Sequence, residues 1–213
     1  MTREQQRKLR ELKKAEPTLL KKLVKQYKLR KKDYMIWTVK GDLFFTMYFF
    51  ENELDGKCYC SVEMRVKPLW ADDILWDILG MSHNRKEPMS LRSIGAFTVM
   101  GAGIESCRAE LPQWGVQELG ALMDESFQRF SEYIRDIGIE YYLQHISDEP
   151  YHAELRELTL LIHQQRYDAA ISYAENMEHG YFQNGNTTTH SGAVEYCRAR
   201  LRERRKVCTG EAN

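Results

Sequence analysis

Tyr34-Met35-Ile36-Trp37-Thr38-Val39, Gly41-Asp42, Leu43-Phe44-Phe45-Thr46-Met47-Tyr48-Phe49-Phe50, Asp55-Gly56 and the run from Cys58 to Lys67 together decide the fold. The first run is aromatic and β-branched, the composition that fits a pleated, half-buried surface. Gly41-Asp42 can turn the chain back. Leu43 to Phe50 is apolar at both parities, as a strand covered on both faces requires. Asp55-Gly56 is a two-residue hairpin dipeptide. Beyond it Cys58, Cys60, Val62, Met64 and Val66 alternate with Tyr59, Ser61, Glu63, Arg65 and Lys67, which predicts one buried face and one wet face. Three strands joined by short turns read as an antiparallel meander.

Helices flank this meander. Upstream, Thr2 with Gln5 three residues later fits a capping box. Pro17 divides the predicted N-terminal helices, and Leu19, Leu20, Leu23, Val24 and Tyr27 recur at helical spacing after it. Downstream, Pro68 opens an amphipathic helix in which Trp70, Ile74 and Ile78 are four apart. Asp72 and Asp73 fall on its other side and read as a solvated face, although paired acids, with Glu149 as another, could do acid–base work if buried together. The segment 80–89 reads as a loop, 91–100 as a fourth strand weakened by Gly95, and Gly101-Ala102-Gly103 as the turn that ends it. Leu119, Met123, Phe127, Phe130, Ile134 and Ile137 form one helical stripe, and Tyr141 to Leu143 a short helix. Leu155 to Ile162 and Tyr167 to Ala174 pair as a helical hairpin. It resembles a single tetratricopeptide unit at Gln165-Arg166-Tyr167-Asp168-Ala169-Ala170-Ile171, but the period is not repeated, so a solenoid does not follow. The segment 183–192 reads as a polar loop, and the last helix covers 193–206.

The fold class is therefore α+β: an antiparallel sheet of about four strands packed by helices, with basic N-terminal helices and a C-terminal helical region. An α+β domain over 1–147 with a helical hairpin and basic helix docked on it over 148–213 is the organisation expected.

The 213 residues carry 31 basic and 31 acidic side chains, but their layout is uneven. Residues 1–40 hold 14 Lys/Arg against 4 Asp/Glu, and 198–206 hold 6 against 1, while 41–197 hold 11 against 25. Two basic ends flank an acidic body. Lys21, Lys22, Lys25, Lys28, Arg30, Lys31 and Lys32 form one candidate patch, and Arg198, Arg200, Arg202, Arg204, Arg205 and Lys206 another. Together they could attract phosphate backbones, or each could simply lie against the acidic body or in water.

Catalytic motifs are sparse. Cys58-x-Cys60 has strand spacing and reads as two small core residues, since a zinc site needs further ligands. None of His83, His145, His152, His163, His179 and His190 belongs to a His-Glu-x-x-His arrangement; His163 and His179 fall near helix ends, where a cap or surface role fits. No Gly-x-Ser-x-Gly elbow is present, and Gly101-Ala102-Gly103 lacks the remainder of any phosphate-loop pattern. No catalytic residue, metal site or cofactor is assigned. The absence of an apolar run of signal-peptide length in 1–32, with five cysteines that cannot all pair, points to the cytoplasm and not to a membrane.

The order of elements resembles one of the bacterial domain-of-unknown-function families of α+β proteins. There a basic helix precedes a Trp-bearing strand (here Tyr34-Met35-Ile36-Trp37), aromatic and alternating strands follow, and then a Trp-bearing helix (here Trp70 to Leu79). The resemblance spans residues 18–145 and implies no activity and no catalytic residues. It implies by analogy an accessory or immunity-type protein, hence a non-catalytic partner of another protein. Nucleic-acid binding through the basic ends and an enzyme with an unrecognised site are the alternatives.

Overall fold

Thr2 and Gln5 cap each other as the sequence requires: the Gln5 backbone N–H donates to Thr2 Oγ1 at 3.2 Å and Thr2 N–H to Gln5 Oε1 at 2.6 Å. The helix they open, α1 (Arg3–Gln26), is a single element in the computed structural model, which describes residues 2–94, 97–111, 115–179 and 181–209. Pro17 lies inside α1 and does not divide it. Leu12, Leu20 and Leu23 are buried on both sides of the proline, so one continuous apolar stripe holds the helix together where a backbone hydrogen bond is missing.

The meander forms as read, with a strand added at its edge. β1 (Arg30–Lys32), β2 (Met35–Lys40), β3 (Leu43–Leu54), β4 (Lys57–Pro68) and β5 (Ala102–Glu110) make a five-stranded sheet in chain order. Met35 pairs with Tyr48 and Lys40 with Leu43, so Gly41-Asp42 is a two-residue turn, with Gly41 at φ +57°. Asp55 and Gly56, at φ +51° and +77°, form the other. Positive φ at both central residues is the type I′ geometry, which Asp-Gly suits, whereas the first turn has it at Gly41 alone.

Two sequence expectations fail here. The fourth strand expected at 91–100 begins instead as a short helix, α3 (Leu91–Ile94), and 97–100 has no regular structure; Gly95 and Ala96 lie outside the described residues. The last strand of the sheet is β5, which begins within the Gly101-Ala102-Gly103 segment read as a turn. Its apolar content is thin (Ser106, Arg108 and Glu110 are exposed), so alternation alone could not expose it.

Contacts divide the chain into two compact units, residues 1–66 with 103–141 and residues 67–102 with 142–213. These two units interleave along the chain. In the first unit, α1 and α4 (Val116–Asp136) pack on each other. Leu20, Ile36, Phe45, Met64, Met123 and Phe127 share one core there, with Phe49 stacked on Phe127 at 6.0 Å. The short α5 (Ile139–Gln144) follows, where a helix was expected.

The second unit is helical. It holds α2 (Leu69–Ile78), a 3-10 turn (Ser82–Lys86), α3, α6 (Pro150–His163), α7 (Tyr167–Glu175), a two-stranded ribbon of β6 (Gln183–Asn184) and β7 (Thr187–Thr188), and α8 (Thr189–Thr209). Leu75, Leu79, Leu158, Ile162, Ala170 and Ala193 fill its core. The α6–α7 hairpin read from the sequence is present, and α8 packs along α7. The segment expected to be a loop to residue 192 ends earlier, because α8 starts at Thr189. No described helix is long and apolar enough to cross a membrane.

Candidate functional site

The basic residues of the N-terminal patch all belong to the first unit. Lys21, Lys22 and Lys25 lie on the last turns of α1, Lys28 at a left-handed turn (φ +55°), and Arg30, Lys31 and Lys32 on the edge strand β1; all are exposed. Among the described residues, none of these side chains makes a hydrogen bond or ion pair. Arg30 rests on the Trp37 ring at 5.3 Å, and Lys31 acts at longer range on Glu16. Beside them Tyr34 is 60% exposed.

The C-terminal arginines belong to the second unit, on α8. Arg198, Arg200, Arg202, Arg204, Arg205 and Lys206 are exposed, and they split between faces by helical spacing. Arg198 meets Glu175 at 3.4 Å. Arg200 lies over Tyr196 at 5.0 Å, donates to its hydroxyl and pairs with Glu203 at 3.0 Å. Arg204 lies over Tyr167 of α7 at 4.9 Å and donates to Gln165. Arg200 and Arg204, with Gln165, Tyr167, Tyr196, Glu203 and Val207, line an open groove of about 580 Å³.

The polar centre that the sequence reading missed is buried. Asp72, expected on a wet face, is 0% exposed, and Lys67, expected on the wet side of β4, is 4% exposed. Lys67 Nζ donates to Asp72 Oδ1 at 2.9 Å and to the carbonyls of Arg92 and Val99 at 3.0 and 2.8 Å. Asp72 also accepts from Val99 N–H at 2.8 Å and faces Arg92 Nη1 at 3.5 Å. Arg92 continues to Asp73 Oδ1 at 2.6 Å and lies over the Trp76 ring at 4.6 Å. Burial lowers the Lys67 pKa and raises that of Asp72, while their mutual attraction opposes both shifts. The arrangement is a clamp: it joins the end of β4, the start of α2 and the 92–99 segment through one ammonium. Arg65, also expected in water, is 8% exposed and paired with Glu63. The alternation in β4 is real, but both of its faces are covered toward its C-terminal end.

The other candidates resolve as packing. Cys58 and Cys60 are fully buried in the first core, and burial pushes the Cys60 thiol up to about 12, far from the thiolate a metal or an electrophile would need. Among the described residues no three His, Cys, Asp or Glu side chains gather as a metal site would require. His163 closes α6 with its ring 4.1 Å from Trp70 in a parallel stack, and burial lowers its pKa. His179 Nδ1 lies 2.9 Å from Glu154 Oε2. In the first unit, Glu16 of α1 and Glu51 of β3 face each other; burial and then the Glu51 charge lift the Glu16 carboxyl to about 7. No known protein family, curated protein or solved structure matches this chain.

Proposed function

We propose that this protein is a non-catalytic partner of another protein, docking an acidic surface against residues 21–34. The observation that carries this reading is the set of seven exposed cations whose side chains have no ion pair among the described residues, next to an exposed tyrosine. Cations already matched by internal acids would have little left to offer a partner. Unmatched ones steer association and set its orientation, and an aromatic side chain beside them is the kind of anchor that dominates interface energetics. The accessory or immunity-type role implied by the bacterial family resemblance fits such a surface. The free thiols of Cys58, Cys60, Cys107 and Cys197 fit a cytoplasmic setting.

The test replaces Tyr34 with a photo-crosslinking amino acid in cells of the native host, followed by nuclease digestion. The expected result is one discrete protein adduct that disappears in the Lys21→Glu/Lys25→Glu/Lys32→Glu variant. These substitutions are on exposed sites, so circular dichroism should show an unchanged fold. Crosslinks that vanish with nuclease, or an adduct that persists in the triple variant, would overturn the reading.

A further inference from the structure

The groove between α7 and α8 has features that internal packing does not require. Tyr196, Arg200, Glu203 and Arg204 follow one another at helical spacing along α8, and Gln165 and Tyr167 face them from the start of α7. Each guanidinium lies over a tyrosine ring and is held by a neighbouring side chain, Arg200 by Glu203 and the Tyr196 hydroxyl, Arg204 by Gln165. A cation–π contact anchored by hydrogen bonds in this way removes side-chain freedom before any ligand arrives. A guanidinium has five N–H donors in a planar fork, more than these contacts use, and the fork matches a phosphate. The outer faces of stacked guanidinium planes also accept a nucleobase. The volume, about 580 Å³, is within the range of small-ligand sites and suits one nucleotide.

We propose that this groove binds a nucleoside monophosphate, with the phosphate held by the forks of Arg200 and Arg204 and the base stacked on the Tyr–Arg layers. Glu203 is the unfavourable neighbour: its carboxylate already engages Arg200 and repels the phosphate. Arg204, whose partner Gln165 is neutral, is therefore the main anchor.

The experiment is calorimetric titration of the purified full chain with AMP, UMP, inorganic phosphate, adenosine and a short oligothymidylate. AMP and UMP should each bind at least about tenfold more tightly than inorganic phosphate or adenosine, because only they engage forks and stacked planes together. Arg204→Ala should weaken AMP binding by about tenfold, Arg204→Lys should restore little of it, and Glu203→Gln should strengthen it by about threefold. Arg204 is exposed, so thermal melts of the variants should match the parent. Equal binding of AMP and inorganic phosphate, no effect of Arg204→Ala, or weaker binding after Glu203→Gln would each overturn the proposal. An oligonucleotide binding more than about tenfold tighter than UMP would replace the mononucleotide with a strand and overturn it equally.

Discussion

Replacing Lys67 with methionine keeps most of the side-chain volume and removes the ammonium from the centre of the buried clamp. Three acceptors lose their donor at once: the Asp72 carboxylate at 2.9 Å and the carbonyls of Arg92 and Val99. Asp72 keeps the Val99 N–H at 2.8 Å and the longer Arg92 contact at 3.5 Å. Breaking a buried pair by removing one partner costs about 3–5 kcal/mol, and the retained donors place this case near the middle of that range, about 4 kcal/mol at pH 7. The remaining carboxyl has its pKa lifted further by the loss of its cation, so the folded state takes up a proton more readily than the unfolded chain. The deficit should therefore shrink as pH falls toward 5. Lys67→Met/Asp72→Asn removes both charges while leaving an amide oxygen for Val99 N–H, and should cost about 2 kcal/mol, less than either single change. Urea unfolding followed by circular dichroism and tryptophan fluorescence measures all three. A cost below about 1 kcal/mol for Lys67→Met, or a double variant no more stable than the single ones, would refute the clamp.

Other expectations are simpler. Glu16 titrates near 7 in the fold against an ordinary value of 4.5, so the parent loses stability as pH rises between those values; Glu16→Gln should be stabilising by about 1 kcal/mol at pH 8 after solvent screening at this half-exposed site, and neutral at pH 4, by urea unfolding at both. Gly56→Ala places a side chain at φ +77° in the Asp-Gly turn and should lower stability by about 1–2 kcal/mol in the same assay. Gly192 sits where α8 meets α2, and a methyl group there would press on the Ile78 carbonyl and approach Ile78 Cγ2 to 2.9 Å; Gly192→Ala should cost about 1–3 kcal/mol and lower the melting temperature.

What the sequence revealed and what it hid follow from locality. The meander was legible because its turns are encoded in two dipeptides and its strands in composition. The α4 stripe was legible because a helix repeats its apolar contacts within a few residues. Pro17 misled because its local effect was overridden by leucines on both sides of it. β5 stayed hidden because an edge strand with polar alternate positions leaves little pattern. The N-terminal cations could be named from the sequence, but whether they were matched by acids could not, because that depends on which helix packs where. Lys67 and Asp72 were misread for the same reason: each looked like an ordinary polar position in its own element. Only the approach of α2 to the end of β4 and to the 92–99 segment makes them partners.

The edge strand β1 has a consequence for self-association. Its three residues are Arg30, Lys31 and Lys32, all exposed, on the outermost row of the sheet. A second copy aligning there would bring two such triplets to strand spacing, about 4.8 Å, and like charges facing each other at that distance oppose annealing. These cations thus oppose templating at this edge of the sheet, and heparin or another polyanion that neutralises them should remove that barrier.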